Sequence, residues 1–454
     1  MREPTDASAS RNPSREAAEG PGRGSRWPTI LSYGLGDFSI GVMWGAVVGY
    51  LMYFLTEVCL LTAREVGVIM LTARLIGVAG DVFVGVLVDR RPDGSRARPF
   101  LKYGGVLFPV FFFLTFLPLP AGHHQLQFLW SFVALTGLTL SNAALSTPYS
   151  VMLNLITEDT RLRIRLSTSR TIGASIGVFA SAGFIPLADL LGAGNRKLGV
   201  PYAVGLGALV ILVSLLTLAR NCRERMTGHM HASGLLDGLR KLARDREWIV
   251  VTLSMIFNII GITLLFGSVT YYAKYALGLS DYYGVLLGLL SNVAVLAGSA
   301  AAEPFLERLP LTLSLGVSGV LGGLPILVLY GLPAGLPAAI VAYGVSGLFL
   351  GVWSSVSYAI LAEATEAGEP GKAANALGVP YALNNALIKG GTSLGGSFLA
   401  FTMAGAGFVS GAATQSADAV HGIVRAACLL PAAAFILSGA VAALYPRAPK
   451  TART

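Results

Sequence analysis

Residues 72–99 read TARLIGVAGDVFVGVLVDRRPDGSRARP, and the rest of the chain is organised around them. The first half is apolar apart from Arg74 and Asp81. Those two stand seven residues apart, so two turns of helix place them on one face. The second half packs Asp89, Arg90, Arg91, Asp93, Arg96 and Arg98 into a short basic turn. An apolar helix that carries opposite charges in its middle and ends in arginines points to a membrane. The basic turn reports orientation, while charges buried in a span are costly and are kept for a purpose.

Composition points the same way. Of 454 residues, 54% are hydrophobic and 13% charged, and mean hydropathy is +0.66. A soluble domain carries about 25% charged residues. The 55 glycines suit close helix packing in lipid. The net charge of +9 does not indicate nucleic acid, because the basic residues sit in short loops between apolar spans. Cys59, Cys222 and Cys428 are too scattered for a metal or redox site.

A membrane-crossing helix needs about 20 mostly apolar residues. Twelve such stretches are expected, near 30–56, 66–88, 101–120, 127–156, 169–190, 200–219, 248–274, 282–303, 312–332, 336–362, 376–402 and 420–445. Residues 1–27 and 447–454 read as polar tails, the first of them disordered. The charged stretch 220–247 separates two six-helix bundles, 28–219 and 248–446. With both termini inside, cytoplasmic tails and loops carry 25 Lys and Arg and external loops only 4. That bias predicts cytoplasmic termini and linker. The fold expected is therefore an all-α membrane protein of the major facilitator type, with its solute site between the halves near mid-membrane.

The polar residues inside the spans need partners or a purpose. They are Asp37, Arg74, Asp81, Arg170 and Lys389. Tyr381, Asn385 and Lys389 form one stripe on their helix, and Asn142, Ser146, Tyr149 and Ser150 another. Trp44 lies two turns from Asp37 on the same face. Plainer explanations stay open: a structural ion pair for Arg74 and Asp81, snorkelling to the surface for Arg170, helix bridging for Asn and Ser. His123, His124, His229 and His231 are not placed as metal ligands.

At these residues the chain resembles the glycoside–pentoside–hexuronide:cation symporter family, over about residues 30–445. The motifs are LSYGLGDF and YLMYFLTEV in the first span, the quoted 72–99 stretch, STPYSVM, LSTSRTIGAS, and AEATEAGEPGKAANALGVPYALNNALIKGG. The resemblance implies cation-driven sugar uptake by alternating access. It assigns Asp81 to the cation site with Lys389 beside it, places Asn385 at a sugar-site position, and matches Arg170 to the family's helix-5 arginine. The chain also departs from the pattern. Gly77 stands where a second helix-2 carboxylate is expected, Gly41 at a sugar-binding aspartate, Ser146 and Ser150 at an aspartate and a tryptophan, Ala143 at a threonine, and Asn375 at an arginine.

The expected function is secondary transport of a small solute, a sugar or glycoside, across the cell (inner) membrane, by a monomer with no cofactor and no enzymatic activity. Asp81, Arg74 and Lys389 are expected to couple a cation. A proton is favoured over sodium, because one titratable group suffices for a proton while sodium needs several oxygens. The substrate-lining set is Asp37, Trp44, Ser146, Tyr149, Tyr381, Asn385 and Arg170. The cytoplasmic gate set is Asp89, Arg90, Arg91, Arg96, Arg98, Glu363 and Glu366. The alternatives are export of a glycosylated or lipid-like solute, and a transport-inactive sensor or scaffold.

Overall fold

The computed structural model describes residues 27–89, 98–120, 122–156, 160–222, 244–302, 309–332, 335–366 and 378–445. They form helices α1 (Trp27–Leu51), α2 (Ala63–Asp89), α3 (Arg98–Thr115), α4 (His124–Ile156), α5 (Thr160–Ala182) and α6 (Arg196–Asn221), then α7 (Arg246–Ala276), α8 (Asp281–Ala300), α9 (Leu311–Gly331), α10 (Leu336–Glu366), α11 (Gly378–Gly405) and α12 (Ala417–Ala442). A short helix, Phe184–Leu191, continues α5 across a 40° bend. Among the described residues, nine helices are long and apolar enough to cross a membrane, and α5 with its continuation makes a tenth. The tails, the linker residues 223–243 and the loop residues 90–97 lie outside the described residues.

Local sequence sets the helix starts. Thr62 and Glu65 form a reciprocal cap on α2: the Glu65 carboxylate accepts from the Thr62 amide at 2.9 Å, and the Thr62 hydroxyl accepts from the Glu65 amide at 3.3 Å. Asp245 caps α7 by accepting from the amides of Glu247 and Trp248. Polarity and burial then decide which faces meet. Tyr33, Phe54, Phe108, Phe112 and Phe116 are fully buried in the first six helices, and Tyr271, Tyr343 and Phe435 in the last six.

The pairing of helices repeats. In the first half α1 packs on α5 and α6, α2 on α4, α3 on α4 and α6. In the second half α7 packs on α11 and α12, α8 on α10, α9 on α10 and α12. Each contact thus recurs six helices later, although the two halves show little sequence symmetry. Even the turns match. After α1, Leu61 donates its amide to the Leu55 carbonyl with Leu60 at φ 59°, and after α7, Leu279 donates to Ala273 with Gly278 at φ 66°.

Glycine makes the closest pairings possible. A Cβ at Gly173 would lie 2.1 Å from the Gly34 carbonyl oxygen, and one at Gly41 would lie 2.4 Å from that of Ala174. Any side chain there would force α1 and α5 apart. Gly298 and Gly351 do the same for α8 and α10, with would-be contacts of 1.9 and 2.1 Å to backbone carbonyls.

The two halves meet unequally along their two seams. The seam of α2 with α11 is closed: Ser397 donates to the Gly67 carbonyl at 3.3 Å, and Gly396 faces Met70. The equivalent seam of α5 with α8 is looser, and a half-open cleft lies there. Trp44, Ser181, Phe266, Thr270 and Asn292 are among its walls.

Candidate functional site

Two clusters of charge form at mid-depth. In the first, Lys389 on α11 donates to both carboxylate oxygens of Asp81 on α2, at 2.8 and 2.9 Å. Its ammonium also reaches the Ser146 hydroxyl on α4 at 3.2 Å, and the neighbouring Thr147 hydroxyl lies 3.4 Å from Asp81. The pair is partly accessible and spans the two halves. A buried ammonium needs a carboxylate of this kind, because its desolvation is otherwise uncompensated.

In the second cluster, the Arg170 guanidinium on α5 donates to the Asp37 carboxylate on α1. Arg170 therefore does not snorkel to the surface. It lies over the Tyr149 ring, with 4.8 Å from the guanidinium carbon to the ring centroid, and within 5.9 Å of the Tyr33 ring. The two tyrosines lock each other: Tyr33 donates to the Tyr149 carbonyl at 3.0 Å, and Tyr149 donates to the Tyr33 carbonyl at 2.5 Å. Gly36 makes room for this, since a Cβ there would sit 2.5 Å from the Tyr149 ring.

The expected coupling trio is thus only partly assembled. Asp81 and Lys389 are joined, but Arg74 makes no hydrogen bond or ion pair with any described residue. Its pocket is bounded by α1, α2, α4, α7 and α11. Asp37, Arg170 and Tyr149 come together, and Ser146 joins the other cluster. Trp44 lines the separate cavity between α5 and α8 rather than the face of Asp37. Asn385 is exposed on α11. Of the expected gate, Arg90, Arg91 and Arg96 lie outside the described residues, as do the side chains of Asp89, Glu363, Glu366 and Tyr381. Arg98 begins α3.

Gly77 now has a packing reason. A Cβ there would meet the Thr139 side chain of α4 at 2.8 Å, and the Thr139 hydroxyl donates to the Ala73 carbonyl at 3.0 Å. Position 77 is a contact between α2 and α4, so a carboxylate could enter only by displacing Thr139.

A third cluster was not foreseen from the sequence. At the end of the bundle where α1 and α7 finish, called here the far end, Arg196 binds Asp189 of its own half and Asp281 of the other. Tyr53 donates to Asp281 at 2.9 Å, and Tyr282 donates to Asp189. Lys274 on α7 donates to Glu57 of the first half, and the Tyr275 hydroxyl joins the same carboxylate at 2.9 Å. Thr56 and Tyr271 share a hydrogen bond of 2.6 Å across the halves. The available signal is that Asp189, Arg196, Lys274 and Asp281, two acids and two bases, all fall at span ends. Both Glu57 and Lys274 lie in π-helical turns, rare distortions that are common at functional sites.

A bundle of apolar helices, repeated in two halves with paired charges between them, defines a multi-pass membrane transporter rather than an enzyme. The chain belongs to the MFS/sugar transport protein family, whose model matches residues 32–447. The resemblance to glycoside:cation symporters stands. The chain is 24% identical to the inner membrane symporter YicJ of Escherichia coli (strain K12), over 91% of this chain and 90% of that one. It is 24% identical to the glucuronide carrier protein homolog of the same organism, over 93% of each. The isoprimeverose transporter of Lactiplantibacillus pentosus is 25% identical over 93% of this chain and 89% of its own. Among solved structures, a bacterial homolog of the human lysosomal transporter Spinster, in an inward-facing and unoccupied conformation, superposes with a TM-score of 0.71 at 13% identity, covering 93% of this chain and 97% of that one. The nucleoside transporter NupG gives 0.65 at 14% identity, over 92% and 100%. These likenesses establish the fold alone.

Proposed function

We propose that the protein is a secondary active transporter of the cell (inner) membrane that moves a sugar or glycoside by alternating access, driven by a proton. The bundles 28–219 and 248–446 rock about the solute site, with both tails and the linker 220–247 in the cytoplasm. The names of the relatives support the solute class, and the charge bias of the loops supports the orientation. In that orientation the far-end network would hold the outer face closed.

The observation that carries this reading is the Asp81–Lys389 pair. It joins the halves at mid-depth, so making and breaking it is linked to their movement. A proton on Asp81 removes its charge and frees the Lys389 ammonium, which lets α2 and α11 part. Both Asp81 oxygens are engaged by Lys389, and Thr139 occupies the space beside Gly77. That supply of oxygen ligands is poor for sodium, which favours a proton.

Purified protein in proteoliposomes tests this. Uptake of a panel of glycosides is followed under an inward proton gradient, an inward sodium gradient, or neither. Accumulation driven by the proton gradient is expected. Accumulation driven by sodium alone overturns the coupling, and gradient-independent inertness towards the whole panel overturns the transport reading. Export is the second reading, because one relative, 24% identical, is named a putative 2,3-dihydroxypropane-1-sulfonate exporter. Inverting the gradient in the same vesicles separates the two.

A further inference from the structure

We propose that residues 406–416, the loop between α11 and α12, form a latch: this loop of the second half holds the α1–α2 turn of the first, and its release limits how often the far end opens. This inference rests on the reading of two rocking halves, and it adds to the charged network a hold that uses no charge.

The six-helix repeat leads to it. In the first half, the connection into α6 reaches across the far end, where Arg196 grips Asp281 at the start of α8. The equivalent connection of the second half runs into α12, and the equivalent target is the turn before α2. The contact is present. Ser410 donates to the Leu61 carbonyl at 2.6 Å. Beside it, Gly411 at φ 72° comes so close to the turn that a Cβ there would sit 2.4 Å from Leu60 Cδ2. Each half thus grips the other half's turn, once through an ion pair and once through a hydroxyl and close packing.

The loop is built to keep its shape. The Gln415 side chain bonds both backbone groups of Val409, accepting from the amide at 3.0 Å and donating to the carbonyl at 2.7 Å. Phe408 is buried, edge-on to the rings of Tyr271 and Tyr275. The Tyr275 hydroxyl lies 3.0 Å from the Ala412 carbonyl and 2.9 Å from the Glu57 carboxylate, which ties the loop to the junction of the halves. A preformed loop loses little conformational freedom on docking, and that strengthens its hold.

The turn it holds is strained. Leu60 adopts φ 59°, a left-handed conformation that crowds the Cβ of any L residue. The matching turn of the second half uses Gly278 at φ 66° and escapes that crowding. A leucine at such a position needs a reason, and its side-chain contact with Gly411 supplies one.

Labelling of a buried thiol tests this on the purified full-length protein, with no solute and no gradient. Ala400 is fully buried where α11 meets Gly67 of α2. With Cys59, Cys222 and Cys428 replaced, Ala400→Cys is the single target for a maleimide. Ser410→Ala is expected to speed labelling about two- to tenfold, the range for one neutral hydrogen bond. Leu60→Gly relieves the strained turn and removes its contact with the loop, and is expected to speed labelling as well. Ser416→Ala is the matched control. Its hydroxyl belongs to the same loop but accepts from the Ala419 amide at 3.2 Å, within its own half, so labelling is expected to match the parent. Parent-like labelling in Ser410→Ala or Leu60→Gly overturns the latch. Equal acceleration by Ser416→Ala also overturns it, because general loosening of the loop then explains the effect. Faster labelling in the two latch variants alone, in a protein that moves no solute in vesicles, keeps the latch and overturns transport.

Discussion

Lys389 and Asp81 stand 308 residues apart in the chain and join across the two halves, with the ammonium 2.8 and 2.9 Å from the two carboxylate oxygens. Nothing else among the described residues bridges the halves through charge at that depth. Asp81→Asn keeps the shape of the side chain and removes both its charge and its titration. Uphill accumulation is expected to vanish while exchange of solute across the membrane persists. Proteoliposome uptake and counterflow measure the two separately. A variant that still accumulates solute would remove Asp81 from coupling.

Asp37 and Arg170 form the companion pair, within one half, so their contribution is expected in stability as well as in transport. Removing one partner of a buried pair costs about 3–5 kcal/mol, because the other charge is left desolvated. Arg170→Gln is expected to lower the melting temperature more than the double variant Asp37→Asn with Arg170→Gln. The cycle of single and double variants measures the coupling. If the double variant loses the sum of the two singles, the pair has no structural role.

The architecture could be read from residues 72–99 and the pattern of spans, because lipid demands long apolar helices and the loops carry their charge asymmetrically. The partnership of Arg170 with Asp37 could not, since the close approach of α1 to α5 depends on glycines spread along both helices, a pattern with no fixed spacing to read. Arg74 and Asp81 share a helix face in sequence, yet Asp81 turns to Lys389 of the other half, and helical spacing holds no information about that choice. Gly77 looked like a missing ligand. In the fold it is a contact point for Thr139. The far-end network was invisible for a similar reason: Asp189, Arg196, Lys274 and Asp281 are ordinary span-end charges until the repeat of six helices brings them together.

Gly173 and Gly390 give a sharp contrast for the packing argument. A methyl group at Gly173 would lie 2.1 Å from the Gly34 carbonyl oxygen, whereas one at Gly390, beside Lys389, meets nothing within 4 Å. Gly173→Ala is expected to destabilise by about 1–3 kcal/mol or prevent folding, as overpacking does. Gly390→Ala is expected to stay within about 0.5 kcal/mol of the parent. Thermal melts of the detergent-purified variants check both, and equal melting temperatures would refute the role of glycine in bringing α1 and α5 together.

Arg196 links Asp189 and Asp281 across the far end, and its removal leaves two carboxylates facing each other. Repulsion then replaces attraction, so Arg196→Ala is expected to shift the protein towards a state open at that end. Ala400 reports the change: it is fully buried where α11 packs beside Gly67 of α2. With Cys59, Cys222 and Cys428 replaced, Ala400→Cys provides a single thiol for an impermeant maleimide. Arg196→Ala is expected to speed its labelling about tenfold, the population change that accompanies a loss of about 1.4 kcal/mol. Adding Asp281→Ala removes the repulsion and is expected to bring the rate part of the way back. If labelling in both variants matches the parent, the network holds no gate.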